Sequence, residues 1–244
     1  NTNEFDETIV FTGSGADVNN YLAKKALNQE AIFADKSMLT LSKDDFGVKL
    51  TTIESDFMKN LNGTAGLDTA FVSGEKTNFA GLKKYLVRYH EEKFFLNTVL
   101  GKGENSPKFM AYENNAGGKT SLDDLKGKYV YVDVWATWCG PCKAEIPYLK
   151  KVEKAYHGKN IAFVSISIDK KKDHEAWKTM IKEKELGGIQ LFADNDWNSD
   201  FVKGYKINGI PRFILIDPKG NIVSPDAPRP SSDELKKLFN SLSI

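Results

Sequence analysis

The chain has 244 residues, enough for one large domain or two modest ones, with ordinary hydrophobic (41%) and charged (27%) content. A net charge of +1 lacks the clustered basic excess of a nucleic-acid binder, so no nucleic-acid partner is expected. No apolar run reaches the roughly 18 residues that a membrane-spanning helix needs.

The chain opens "NTNEFDET", with no initiator Met and no apolar signal core. That points to a processed or trimmed product, with any targeting segment out of view. The first hundred residues read as helical. "SKDD" (Ser42 to Asp45) resembles a capping box, and after it Leu50, Ile53, Phe57 and Leu61 fall at helical spacing. Phe79, Leu82, Leu86 and Tyr89 repeat the pattern, and a weaker stripe of Val18, Tyr21 and Leu22 follows "GSGAD". These stripes predict a small helical core with no chemistry of its own. "GKGENSP" (Gly101 to Pro107) is rich in breakers and reads as a linker. The division is therefore a mainly helical domain over residues 1–105 and a second domain over 106–244.

Beyond the linker the pattern changes. "KFMAYENNAGGKTSLDDLKGK" predicts a short strand, a Gly-rich turn and a short turn or helix near Ser121 to Leu125. "YVYVDVW" (Tyr129 to Trp135) predicts a strand buried on both faces. The helix after it carries Ile146, Leu149, Val152 and Tyr156 on one side, and Pro147 should kink it. "IAFVSISI" is a second buried strand, "DHEAWKTMIKEKE" a helix, "IQLFA" a short strand, and Ser199 to Tyr205 another helical stretch. "RFILI" (Arg212 to Ile216) is a strand that "DPKG" turns into a hairpin with "NIV". The last helix starts at Ser231, with Glu234 completing a capping box, and buries Leu235, Leu238, Phe239 and Leu242. Strands alternating with helices predict an α/β fold, and the hairpin adds an antiparallel edge.

The chemistry gathers in "VDVWATWCGPCKAEIP", which holds both cysteines, Cys139 and Cys142. Closing so short a loop stabilises little, so the pair reads as one built to open and close. Cys139 sits where a helix begins, and there unpaired N–H groups and the dipole favour a thiolate, the attacking species. Cys142, nearly one turn on, resolves the mixed disulfide. Cys139 is expected to be the more exposed and more acidic of the two. Pro141 fits the first turn, where its missing N–H is not needed. Asp133, in the middle of the apolar strand, should share a face with Trp135. Desolvation should raise its pKa and make it a proton acceptor, unless the strand ends early and leaves it wet. Glu145 lies on the same side of the helix as Cys142, placed either to tune the thiols or shuttle protons, or simply to be solvated. Trp138 reads as part of a docking surface. In "NGIPRFILID", Pro211 directly precedes a buried strand, and a cis bond there would offer the Ile210 backbone as a docking edge. Two cysteines cannot make a disulfide scaffold or a four-cysteine zinc site, and His90, His157 and His174 are scattered, so no metal is expected.

"VDVWATWCGPC" resembles the thioredoxin active-site segment, and "GIPRFILID" the cis-proline segment of that superfamily. Within it, "WCGPCKAEIP" is similar to the bacterial TlpA/ResA-type oxidoreductases, which place Glu and Pro where Glu145 and Pro147 stand. The resemblance covers residues from about 109 to 243 and says nothing about residues 1–105. It implies a thioredoxin-like fold, a central mixed sheet flanked by helices. It also implies Cys139 as nucleophile, Cys142 as resolving thiol, Asp133 as buried proton acceptor and Pro211 as cis. Trp138, Gly140, Pro141, Ile210 and Pro211 would border the substrate. The redox-active Cys139–Cys142 disulfide would be the only prosthetic device, with no cofactor. The implied activity is thiol–disulfide exchange with protein substrates, as an extracytoplasmic reductant. Gly-Pro between the cysteines is the pairing of reducing thioredoxins. An upstream thiol donor or acceptor, such as a membrane redox protein, is implied too, in the periplasm or at a membrane anchor since removed. Three rivals remain. A peroxiredoxin-type peroxidase would want a Pro-x-x-x-Thr-x-x-Cys stretch, which is missing. A binding module would use the fold as a scaffold, and a purely structural disulfide would leave the pair inert.

Overall fold

The structure is a computed structural model that describes residues 10–244, so the opening "NTNEFDET" lies outside the described residues. The described residues up to Phe95 form one compact unit, and Leu96–Ile244 form a second.

The first unit is helical, as its stripes predict: α1 (Ala16–Ala34), α2 (Lys43–Gly63) and α3 (Thr69–Thr98), the last running on past the unit's end. Ser42 caps α2, accepting from the Asp45 N–H at 3.1 Å while its hydroxyl donates to the Asp45 carboxylate. Phe46, Leu50, Ile53, Phe79 and Leu86 form the core, with Phe57 stacked on Phe79 at 4.2 Å. The weak α1 stripe splits. Tyr21 is buried, its hydroxyl donating to the buried Glu75, which also pairs with Lys25, while Leu22 is 40% exposed. His90 stacks on Phe46 and bonds the Leu41 carbonyl.

The second unit is built on one seven-stranded sheet. Its strands are β1 (Tyr112–Asn114), β2 (Lys119–Thr120), β3 (Tyr129–Trp135), β4 (Ile161–Ser167), β5 (Ile189–Phe192), β6 (Arg212–Ile216) and β7 (Ile222–Ser224), in the order β2-β1-β5-β4-β3-β6-β7. β3, β4 and β5 run parallel, and β6, β7, β1 and β2 join antiparallel. The helices are α4 (Gly140–Ala155), α5 (His174–Lys184), α6 (Asp200–Gly204) and α7 (Asp233–Ser241). This is the mixed sheet with flanking helices that the resemblance implies. The two central strands, β3 and β4, carry the near-continuous apolar runs, because strands covered on both faces need them. Leu149 and Val152 of α4 and Leu235 and Phe239 of α7 pack together on Tyr131, Phe163, Phe213 and Leu215 of the sheet.

Two expectations need correction. "GKGENSP" is not a free linker: Gly103 and Ser106 donate to the Ile222 and Gly220 carbonyls, and Ile222 donates to Glu104. The segment lies along the β6–β7 hairpin, whose unpaired edge groups draw it in. The last helix begins later than predicted. Ser232, not Ser231, caps α7, accepting from the Glu234 N–H, because Ser231 is bound elsewhere. Pro147 lies inside α4, which runs from Gly140 to Ala155 around it.

Candidate active site: the Cys139–Cys142 centre

β3 delivers the chain to the front of the sheet at Trp135, and α4 begins at Gly140. Cys139 is the N-cap of α4, with Pro141 in its first turn. The two cysteines form a disulfide with 5.3 Å between Cα atoms. They are equally buried, Cys139 at 4% and Cys142 at 5% exposure, so exposure does not set them apart as expected. A hydrogen bond does. The Cys142 N–H donates to Cys139 Sγ at 3.1 Å, so the sulfur at the helix start is the one an unsatisfied backbone donor stabilises.

The approach loop is fixed from below by Asp169, which is 1% exposed just past β4. Its carboxylate accepts from the Thr137 N–H at 2.9 Å, the Thr137 hydroxyl at 2.8 Å and the Ser167 hydroxyl at 2.7 Å. The residue two before the nucleophile is thus tied to the sheet. Sequence reading passed over Asp169, because a carboxylate ending a strand reads as solvated. Asp169→Ala would leave two half-buried donors of Thr137 and a buried one of Ser167 unmatched, at roughly 1–3 kcal/mol for the buried group and less for the others. The thermal midpoint of this unit is expected to fall by several degrees, with slower disulfide exchange. An unchanged melting curve by circular dichroism would show the bracket to be dispensable.

Asp133 lies on the face of β3 that meets α4, and with Trp135 it lines one narrow cleft behind Cys142. The strand does not end early: β3 runs on to Trp135. Asp133 is half-buried as a residue, yet its Oδ1 is sealed from solvent and has no hydrogen-bond partner. Burial, reinforced by the carboxylates of Glu145 and Glu153, pushes its pKa up to about 8. Glu145 is buried and not solvated. Its carboxylate accepts from the Ser231 N–H at 3.0 Å and the Ser231 hydroxyl at 2.9 Å, with Arg229 at 4.0 Å. It holds the approach to α7, and its charge adds to the rise in the pKa of Asp133. Glu153, which sequence reading did not single out, closes the same cleft. Burial raises its pKa to about 7 against the pull of Lys150.

Trp138 is 54% exposed beside Cys139, with Trp197 at 6.4 Å between ring centroids. Gly140 and Pro141 are exposed. The Ile210–Pro211 bond is cis, and both residues are half-buried where β6 starts, Arg212 pairing with Val134 of β3.

A helix-capping cysteine pair at the end of a central parallel strand, with a cis proline opening the neighbouring antiparallel strand, defines a thioredoxin-like thiol–disulfide centre. The Redoxin family model matches residues 102–241, and the chain belongs to that family. It is 29% identical over 126 residues to thiol-disulfide oxidoreductase ResA of Bacillus subtilis, a match that spans 51% of this chain and 66%, just under two thirds, of the relative. Its fold matches the thioredoxin domain of a thiol-disulfide oxidoreductase from Bacteroides vulgatus, 33% identical, TM-score 0.52, covering 59% of this chain and 98% of that one. A thiol:disulfide interchange protein from Bacteroides sp. matches at 32% identity and TM-score 0.52, over 59% of this chain and 92% of that one. The second unit is thus a ResA-like member of the thioredoxin superfamily.

Proposed function

We propose that the protein reduces disulfides of protein substrates outside the cytoplasm, cycling Cys139 and Cys142 between dithiol and disulfide. The hydrogen bond from the Cys142 N–H to Cys139 Sγ carries this reading, because it selects the nucleophile. In the reduced protein the Cys139 thiolate attacks one sulfur of the substrate disulfide. A mixed disulfide forms, and the substrate's other sulfur leaves as a thiolate. Cys142 then gives its proton to the Asp133 carboxylate. The new thiolate attacks Cys139 Sγ, releases the second substrate sulfur and closes the Cys139–Cys142 disulfide. Two electrons pass to the substrate, and no further cofactor takes part. An upstream dithiol donor, in a membrane redox protein, restores the thiols.

An extended substrate chain lies across the start of α4, held by the Ile210 backbone beside Pro211 and bordered by Gly140, Pro141 and Trp138. Backbone pairing is largely blind to sequence, so Trp138 supplies part of the selectivity. The extracytoplasmic setting rests on the likeness to ResA. Among the described residues no helix is long and apolar enough to cross a membrane.

The test is a Cys142→Ser variant, which cannot resolve its mixed disulfide. It is expected to accumulate covalent protein adducts through Cys139, visible on non-reducing gels of a native-host extract. Capture of small thiols alone would end the protein-substrate reading.

A further inference from the structure

The cleft behind Cys142 holds more polar chemistry than resolving a mixed disulfide explains. Its walls come from β3 (Asp133, Trp135), β4 (Ser165), β5 (Gln190) and α4 (Cys142, Glu153). Three of its polar atoms are buried with no protein partner: Asp133 Oδ1, Trp135 Nε1 and Gln190 Oε1. Trp135 and Gln190 are 2% and 5% exposed. Buried polar groups of native proteins find partners almost without exception, in protein or in ordered water. One donor and two acceptors meeting in one cleft suit a bound water, which needs two to four polar partners. The cleft also makes room for a second carboxylate. A Cβ on Gly187 would stand 2.6 Å from Glu153 Oε2, and one on Gly188 would stand 3.0 Å from Oε1. The two glycines let Glu153 fold inward, although it is half-buried and still reaches solvent.

We propose that this cleft is the proton route of the redox centre: water held by Trp135 and Gln190 carries the proton that Asp133 takes from Cys142 to Glu153, which releases it to solvent. The inference rests on Asp133 as the acceptor in the reading above. It adds a path and an outlet. Near pH 7 Asp133, pushed up to about 8 by burial, must first shed its own proton before it can accept the one on Cys142, so without an outlet even the first resolution step waits. The balance is simple. Cys142 loses one proton, Asp133 gains and loses it, Glu153 gains and loses it, and solvent receives it. No electrons move along this path. The charged and titratable groups around it are Glu145, Lys150, Glu153 and Cys142 of α4 and Tyr131 of β3, while β4 and β5 contribute only neutral Ser165 and Gln190. Lys150 is partly engaged elsewhere, donating to the Lys184 carbonyl at 2.9 Å. Glu153, held near neutral by burial, is suited to take up and release a proton at the pH of use.

The experiment is single-turnover oxidation of the reduced protein by a small disulfide near pH 7, followed by tryptophan fluorescence at low and at high buffer concentration. Glu153→Gln keeps the shape and removes the relay. At low buffer its resolution step is expected to slow by about tenfold, short of the ~10²–10⁴ that a primary acid–base group is worth. Added imidazole, a mobile proton carrier, is expected to restore the rate, while the wild type stays indifferent to buffer. Gly187→Ala, which pushes the carboxylate out of the cleft with its charge kept, is expected to show the same buffer-dependent loss. Equal rates for Glu153→Gln and wild type at low buffer overturn the route. So does a loss that imidazole does not relieve, since that is the mark of altered electrostatics alone. Asp133→Asn in the same assay separates the two levels. A wild-type rate there brings down the acceptor reading itself, whereas a slow Asp133→Asn with a fast Glu153→Gln brings down only the outlet.

Discussion

Cys139→Ser is expected to lower insulin disulfide reduction to the uncatalysed background, with the melting curve of the oxidised fold moved only modestly. The argument is local. Cys139 is the one sulfur that accepts a backbone N–H at the start of α4, and a serine hydroxyl there still caps the helix. What disappears is the attacking thiolate, which the helix start favours. The lost disulfide closes a loop of only a few residues, so little stability goes with it. Limited alkylation of the reduced wild type gives the complementary readout: iodoacetamide at neutral pH is expected to label Cys139 first. Preferential labelling of Cys142 would reverse the two roles.

Asp133→Asn is expected to do two opposite things. It stabilises the fold at alkaline pH and slows the step that needs Cys142 deprotonated. The sign follows from the raised pKa. The folded-state value is about 8, whereas an unfolded Asp ionises near 3.9. Between those values the folded chain binds more protons than the unfolded one, so stability contributed by the protonated acid is lost as pH rises from about 4 to about 8. Above that range both states carry the charge, and the cost of burying it is at its full value. Each pKa unit is worth about 1.4 kcal/mol. With a discount for the cleft's partial solvation, the handicap at pH 8 is on the order of 3 kcal/mol. Asparagine carries no such handicap. The variant's thermal midpoint is expected to exceed the wild type's by ~6–12 °C at pH 8, at about 2–4 °C per kcal/mol, and by little near pH 4. In activity, the wild-type rate of resolution rises through about pH 8 as Asp133 ionises, and the variant loses that limb and runs slower by about 10²-fold. A pH-independent difference in melting temperature would place the ionisation elsewhere.

The parts of this architecture that short-range chemistry dictates could be read from residues alone. β3 and β4 announce themselves as apolar runs, the "DPKG" turn closes where Gly220 takes φ 92°, and Ser42 caps the helix its sequence predicts. The cysteine pair and the proline before β6 were legible as two motifs in the right order. Features set by distant partners were not. Glu145 shows its function only once Ser231, 86 residues away, is seen to donate to it. Asp169 means little until Thr137 arrives, and "GKGENSP" reads as a linker because hairpin-edge pairing leaves no trace in its composition. Glu153 was hidden differently. It stands among lysines on an amphipathic helix, where glutamates are ordinarily solvated. The signal was its register: Cys142, Ile146, Leu149 and Glu153 recur at the spacing of one helix face, and all four line the cleft.

The most direct measurement is the equilibrium redox titration of Cys139 and Cys142 against dithiothreitol and glutathione buffers. A reductant built as described here should titrate as one two-electron couple with a potential near thioredoxin's, about −270 mV. A potential near about −120 mV, the range of a dedicated oxidant, or the lack of any two-electron transition, would contradict it.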